Sequence, residues 1–198
     1  MPINPEELHN FLRTRRSIRR FKLDPVPAEV VERMIKTATY APSAHNLQPW
    51  RFVVLTTQTA KARFGEALTN AMRVDMLSEG AKETDIERRV TNTLTRLNEA
   101  PVAILLCRDV TAVREHKPED TIMSIQSVAN AGLQLLLAAH AEGLGGNWIC
   151  WPLYAQAETQ KVLDLTDTWE PQAMYFIGYP VESPLQKEKR ASDVVFKK

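Results

Sequence analysis

The feature that most constrains the fold is the stretch 121–141, which contains no Asp, Glu, Lys or Arg. A helix of this length could cross the apolar core of a bilayer. Polar side chains nevertheless recur along it, and a helix surrounded by lipid tolerates such groups only at a cost in free energy. They are Ser124, Gln126, Ser127, Asn130, Gln134 and His140. We therefore expect a helix that is buried inside protein rather than in lipid.

The overall composition is that of an ordinary globular domain. The chain has 198 residues, of which 44% are hydrophobic and 25% are charged, and its formal net charge is +1. These values exclude a collagen-like, largely disordered or strongly polycationic protein, and the length suits one domain spanning residues 1–198. Cys107 and Cys150 lie in apolar runs, which argues against a disulfide scaffold. Because residues 1–10 also lack an apolar segment, we expect a cytoplasmic location.

Hydrophobic periodicity predicts helices that alternate with short strands. Apolar runs predict strands at residues 52–55, 102–107, 148–150 and 174–177. Helical spacing of apolar residues predicts helices at 6–13, 30–38, 64–72, 86–97 and 155–165, besides the uncharged stretch. The segment 15–21 should leave the first helix, and Gly143 should end the uncharged helix with a positive φ. Strands separated by helices indicate a layered α/β or α+β domain.

Arginine is concentrated near the amino end, where residues 13–20 include five arginines with Ser17 among them. Guanidinium groups present fixed sets of donors that match phosphate oxygens. Three interpretations stay open: a solvated basic surface, a nucleic-acid contact, or a site for one small phosphate-bearing ligand. Nucleic-acid binding would require a basic face with stacking aromatic groups. Only Phe21 is adjacent, and acidic residues balance the charge elsewhere.

A polar loop at residues 41–50 is a second candidate site. Prolines restrain its backbone around Ser43, Asn46 and Gln48. Amide and hydroxyl groups on a rigid loop can match the donor and acceptor edge of a planar heterocycle. The alternative is a simple turn between a helix and a strand. In either case we expect the ring of Trp50 to lie in the core.

Other chemical motifs are weak or missing from the sequence. The glycines at 143, 145 and 146 follow a predicted helix and lack the spacing of a dinucleotide fingerprint, although they could let backbone amides approach a flat ligand. The four histidines are scattered, and no CxxC, HExxH or GxSxG motif is present. We therefore expect no metal site and no catalytic side chain, so that a reaction would depend on an imported cofactor.

Several of these segments together resemble the nitroreductase family. They are Arg15-Arg-Ser-Ile-Arg-Arg-Phe21, Ala41-Pro-Ser-Ala-His-Asn-Leu-Gln-Pro-Trp-Arg-Phe52, Glu142-Gly-Leu-Gly-Gly146, Gly178-Tyr-Pro180 and Arg190. The order and spacing match from about residue 8 to residue 195. The resemblance implies an α+β fold, a three-layer sandwich with a central mixed, mostly antiparallel sheet flanked by helices. It also implies an intertwined homodimer with one FMN per subunit at the interface, without nucleic acid or membrane as a partner.

The resemblance further implies which residues bind the cofactor. Arg15, Arg16 and Ser17 would contact the phosphate, the ribityl chain and the pyrimidine edge of FMN, Arg190 would close on the phosphate, and Arg19 would bind nearby or brace the loop. Pro42, Ser43, Ala44, Asn46 and Gln48 belong to a loop that would come from the second subunit and cover part of the ring. Leu144 and Gly145 would lie beside the reactive edge of the ring.

The implied activity is that of an FMN-dependent oxidoreductase, which transfers hydride from NAD(P)H to a nitroaromatic, a quinone or a related acceptor by a ping-pong mechanism. The arginine at position 16 departs from family members that have histidine there. The segments 43–50 and 164–172 resemble, within the family, the reductase domain associated with deazaflavin-cofactor biosynthesis. Reduction of a deazaflavin precursor, or fragmentation of the flavin, is therefore a second hypothesis. A flavin-binding or nucleic-acid-binding protein without turnover is a third.

Overall fold

The computed structural model describes residues 4–181 together with residues 192, 194, 195 and 197. Its helices are α1 (Pro5–Thr14), α2 (Ala28–Ala38), α3 (Gln58–Ser78), α4 (Glu83–Glu99), α5 (Pro118–Ala141) and α6 (Gln156–Val162), with short 3-10 turns at Ala44–Asn46 and Trp151–Tyr154. Its strands are β1 (Trp50–Leu55), β2 (Val102–Asp109), β3 (Gly145–Ile149) and β4 (Trp169–Gly178). Every element predicted from periodicity is present in the described residues, and the bounds differ by a few residues.

The four strands form one sheet in the order β1-β2-β4-β3. All three neighbouring pairs run antiparallel. Among the described residues, the parallel pairing is a single bridge between Ser17 and Gly146, on the outer side of the edge strand β3. The sheet is therefore mostly antiparallel, and the predicted α+β class is confirmed.

Helices cover both faces of the sheet. Because side chains alternate between the two faces along each strand, one strand contributes to two cores. On β2, Val102, Ile104 and Leu106 belong to a core shared with α2 and α5. The intervening residues Ala103, Leu105 and Cys107 belong to a second core, shared with α3 and α4. Every residue of β2 is buried, which explains the unbroken apolar run from Val102 to Cys107. The two buried charged residues that end the strand are paired, Arg108 with Glu170 and Asp109 with Arg51. The result is the predicted three-layer sandwich.

The uncharged stretch forms most of α5, the longest helix in the described part of the chain. It is long and apolar enough to cross a membrane by length and composition alone. In the structure one face of α5 packs on the sheet through Val128, Ala131 and Leu135. The opposite face leaves Ile122 and Leu133 more than half exposed, at 55% and 53%. The predicted burial inside protein is thus found on one side of α5, and the other side remains an open apolar surface.

Candidate functional site

The arginine-rich segment lies along the free edge of β3. It leaves α1 at Arg15, whose backbone is extended, with φ −56° and ψ 135°. The Ile18 N–H then donates to the Gly146 carbonyl at 3.0 Å. A Cβ atom on Gly145 would lie 2.5 Å from Ile18 Cγ1. The missing side chain of Gly145 therefore makes room for this chain's own Ile18, and the glycine pair holds the arginines in place.

A cleft of about 420 Å³ opens beside this segment. Its walls come from the end of α1, the last turns of α5, the α5–β3 connection and the start of β3. The connection turns sharply at Gly143, whose φ of +72° confirms the predicted glycine cap. The lining residues are Thr14, Arg15, Arg16, Ile18, Leu136, His140, Gly143, Leu144, Gly145, Gly146 and Pro180. The structure thus brings four of the predicted site residues together: Arg15, Arg16, Leu144 and Gly145.

The cleft carries positive charge that no carboxylate in the described residues neutralises. Arg15 and Arg16 are half-buried, and neither makes a salt bridge within the described part of the chain. Arg16 Nη1 donates to the carbonyl of Arg15 at 2.8 Å and to that of Arg13. These bonds fix the guanidinium without cancelling its charge. Two such cations beside a cleft have the charge and the donor geometry that suit an anion.

His140 is a cleft residue that was not among the site residues predicted from the sequence. Its ring stacks on Phe11 with centroids 4.8 Å apart, and Nε2 lies 3.1 Å from Thr14 Oγ1. Burial lowers the pKa of His140, and the positive charges of Arg15 and Arg16 lower it further. The useful signal in the sequence is its position, one turn before the glycine that ends α5.

An apolar groove of about 390 Å³ adjoins the cleft, because Arg15 and Leu136 line both. Ser17 lies in this groove, separated from the main cleft. Trp148 on β3 is 59% exposed there, and Tyr175 on β4 forms part of the wall. Burial raises the pKa of Tyr175, so its hydroxyl stays protonated. Trp148 and Tyr175 were not predicted as site residues from the sequence, since only the pairing of β3 with β4 brings them together.

The loop at residues 41–50 is tightly held. Trp50 is 5% exposed and packs in the core, as predicted. Ser43 Oγ accepts from the Gln48 N–H at 3.1 Å, and Gln48 Nε2 donates to Asn46 Oδ1 at 3.1 Å. His45, Asn46 and Gln48 all have positive φ, between 49° and 54°. Strained backbone of this kind persists only where surrounding bonds fix it, and it is common at binding sites.

The loop lies apart from the arginine cleft in the same chain. Pro42, Ser43 and Ala44 line a separate hollow of about 190 Å³ on α5, and none of its lining residues lines the cleft. The Ala44 N–H donates to Ser127 Oγ at 3.1 Å, which anchors the loop on the helix. The predicted site residues therefore fall into two groups on one chain.

Three further residues that were predicted to bind the cofactor do not line the arginine cleft. The side chains of Arg19, Asn46 and Gln48 are exposed. Arg190 lies outside the described residues.

Metal-ligating side chains do not cluster in threes within the described ranges. Burial raises the pKa of Cys107 to about 12, so this thiol is a poor nucleophile.

The residues present fit a ligand that has an anionic end and a flat apolar end. The guanidiniums of Arg15 and Arg16 suit a phosphate group, and the adjoining groove offers Trp148 and Leu133 to a ring. Gly145 makes room for Ile18 of the arginine segment, and Gly146 makes room for Leu136, which lines both the cleft and the groove. FMN combines these two chemical features in one molecule.

The sequence of this chain is similar to those of known proteins that form one family. The model of the nitroreductase family matches residues 12–179. The Bacillus subtilis protein YfhC, provisionally named an NAD(P)H nitroreductase, is 30% identical over 92% of this chain and 89% of its own. The 5,6-dimethylbenzimidazole synthase of Rhodospirillum rubrum is 32% identical over 85% of this chain and 79% of its own.

A solved structure shares the fold. A provisionally named nitroreductase from Desulfovibrio desulfuricans, crystallised in complex with FMN, aligns with a TM-score of 0.72 and 24% identity over 96% of this chain and 94% of that one. The family match extends from the end of α1 to the residue after β4, and it includes the arginine segment, the loop at 41–50 and the glycine connection. On these grounds the chain belongs to the nitroreductase family.

Proposed function

We propose that this protein is an FMN-dependent oxidoreductase that uses NAD(P)H to reduce an electron-poor acceptor such as a nitroaromatic or a quinone. The observation that carries the proposal is the pair of half-buried guanidiniums, Arg15 and Arg16, beside an apolar groove in a chain of the nitroreductase family. Two free thiols, on Cys107 and Cys150, are consistent with a cytoplasmic location.

In this proposal each part of the cleft has a separate task. Arg15 and Arg16 bind the phosphate, with Arg190 and Arg19 as further cations, and Ser17 contacts the ribityl chain or the pyrimidine edge. Leu144 and Gly145 border the ring. When bound, FMN supplies the chemistry of accepting and donating hydride. The protein holds the ring in one orientation, excludes water from its apolar side and leaves one face open to both substrates in turn.

A second copy of the chain completes the proposed site. None of the loop residues Pro42, Ser43, Ala44, Asn46 and Gln48 lines the arginine cleft of its own chain. Pro42, Ser43 and Ala44 instead line a separate hollow against α5. The exposed apolar face of α5 includes Ile122, Ile125 and Leu133, and Trp148 and Leu153 continue it. An open apolar surface of this extent is typical of a protein–protein interface. We propose that a homodimer covers it and brings the loop of one subunit over the cleft of the other.

A second function has one observation in its favour. The chain is 32% identical to a 5,6-dimethylbenzimidazole synthase over 85% of its length. A flavin-fragmenting enzyme would consume FMN when the reduced protein is exposed to air, whereas an oxidoreductase would return it unchanged. Chromatography of the flavin released after several cycles of reduction and exposure to air separates these outcomes. Reduction of a deazaflavin precursor stays a further possibility for the acceptor.

Anaerobic reduction by NAD(P)H tests the proposed activity itself. The purified protein reconstituted with FMN should be yellow, should lose its visible absorbance on addition of NAD(P)H, and should regain it on addition of a quinone. Initial rates at several concentrations of both substrates should give parallel reciprocal plots, because one open face serves both substrates in turn. A yellow protein that NAD(P)H cannot bleach would instead indicate a flavin carrier, and intersecting plots would contradict the ping-pong order.

Replacement of Arg16 tests the phosphate-binding role. Arg16→Gln removes charge-assisted hydrogen bonds worth about 1.5–3 kcal/mol in total, so the Kd for FMN should rise about 10- to 100-fold. The affinity for riboflavin, which lacks the phosphate, should change little. Arg20→Gln is the matched control, since Arg20 is an exposed arginine of the same segment that does not line the cleft. Equal losses for the two variants, or for the two ligands, would contradict the assignment.

A charge on the open face of α5 tests the dimer. Ile122→Glu places a carboxylate where the proposed interface excludes water, at an exposed position of α5 that does not line the apolar groove. We expect the dimer Kd to rise at least about tenfold. FMN binding should fall in parallel, since each site would lose the loop of the second copy. Val74→Glu, at an exposed position on α3, is the control. Sedimentation measures the oligomeric state, and a dimer that survives Ile122→Glu with its flavin would be inconsistent with this interface.

A further inference from the structure

His140 lies at the point where the phosphate-binding end of the cleft meets the core. It belongs to the last turn of α5 and lines the cleft together with Arg15 and Arg16. Its ring is half-buried and stacked on Phe11 of α1 at 4.8 Å. A residue that only joined α1 to α5 could be any aromatic or apolar side chain. The imidazole is instead held in the cleft by a specific hydrogen bond.

One ring nitrogen of His140 faces Thr14. Nε2 lies 3.1 Å from Thr14 Oγ1, and which of the two donates depends on the ring tautomer. The Thr14 hydroxyl also lies 3.0 Å from the Phe11 carbonyl, to which it can donate. In the protonated ring both nitrogens carry a hydrogen, so Nε2 donates to Thr14 and the ring places a positive charge at the wall of the cleft.

The charges around His140 oppose protonation in the absence of an anion. Burial lowers its pKa most, and Arg15 and Arg16 add to this effect, while the Phe11 carbonyl acts in the opposite direction. Among the other charged groups on the packed elements, Glu7 on α1 and Glu29, Glu32 and Lys36 on α2 are exposed and make no salt bridge within the described residues. Two other carboxylates are paired. Glu142, at the end of α5, is held by Arg33 of α2 at 2.6 and 2.8 Å. On α1, Arg13 lies 3.9 Å from Glu6, and His9 is exposed.

We propose that His140 is a third phosphate-binding residue of the cleft, and that its imidazole takes up a proton when the flavin phosphate binds. The inference rests on the proposed function, because it requires FMN in this cleft. A phosphate dianion beside Arg15 and Arg16 reverses the sign of the local field, so the charged form of the imidazole becomes favourable. His140 is then a neutral residue in the empty cleft and a cation in the loaded one.

This coupling has a definite sign. A group whose pKa rises on binding strengthens binding at low pH, and the gain disappears as the pH rises through the pKa of the bound state. The affinity for FMN should therefore fall between pH 6.5 and pH 8.5. The phosphate itself has its second pKa near about 6 and acts in the opposite direction. Its effect is common to all variants of the protein, so a comparison between variants separates the two.

The experiment measures the Kd of FMN and of riboflavin at pH 6.5 and pH 8.5 for the full-length protein. His140→Gln keeps a donor for Thr14 but cannot take up a proton. His9→Gln is the matched control, since it removes an exposed histidine of α1 that does not line the cleft. For FMN, the ratio of the Kd at pH 8.5 to that at pH 6.5 should be larger in the wild type than in His140→Gln. For a rise of one pKa unit on binding, the excess should exceed about twofold but stay below about tenfold, because burial already lowers the pKa of the free ring and pH 6.5 does not lie below both pKa values.

Comparison of two flavins and two variants separates the role of His140 from other effects of pH. The larger pH dependence of the wild-type Kd should be absent when riboflavin replaces FMN, and it should be retained in His9→Gln. Identical pH dependence of FMN binding in the wild type and His140→Gln, or the same excess with riboflavin, would overturn the inference and leave the proposed function intact. Failure of the wild type to bind FMN at either pH would overturn both.

A second measurement uses only the wild-type protein and so does not depend on how the variant folds. An NMR titration of the His140 ring without and with saturating FMN should show a higher pKa in the complex. Calorimetry of FMN binding near pH 7.5, in buffers of different ionisation enthalpy, should show net proton uptake. An unchanged pKa for His140 in the complex would overturn the inference on its own.

Discussion

The site depends on the way in which the segment after α1 is fixed to the edge of β3. Ile18 donates its backbone N–H to Gly146, and its side chain occupies the space that a Cβ atom on Gly145 would need. These contacts set the positions of Arg15 and Arg16 before any ligand is present. Because no carboxylate in the described residues neutralises the two guanidiniums, their charge is available to an anion. A preorganised pair of cations loses little conformational entropy on binding.

The position of α5 explains why one chain carries only part of the proposed site. α5 contributes to the core through one face and leaves an apolar face open on the other. The strained loop at residues 41–50 is anchored to this helix through Ser127, in a hollow separate from the arginine cleft. The homodimer that we propose would account for both the exposed face of α5 and the separation of the loop from the cleft.

Much of this fold could be predicted from the sequence, because the helical spacing of apolar residues and the short apolar runs of the strands are easy to tell apart. The apolar run of β2 indicated a strand buried on both faces, and Gly143 marked the end of α5. The grouping of Arg15, Arg16, Leu144 and Gly145 could be predicted only through the resemblance to a family, since they come from distant parts of the chain. His140, Trp148 and Tyr175 could not be found in this way. Trp148 and Tyr175 come together through strand pairing, which leaves no pattern in the local sequence. The only local signal for His140 is its position one turn before Gly143, which does not reveal its contacts with α1.

The central claim is that Arg15 and Arg16 bind the phosphate of FMN in a cleft that a second subunit closes. A crystal structure of the protein grown with excess FMN tests it most directly. The account predicts a flavin whose phosphate lies within hydrogen-bond distance of both guanidiniums, with the loop around Ser43 of the second copy over its ring. An empty cleft, or a flavin bound elsewhere while both arginines point into solvent, would contradict it.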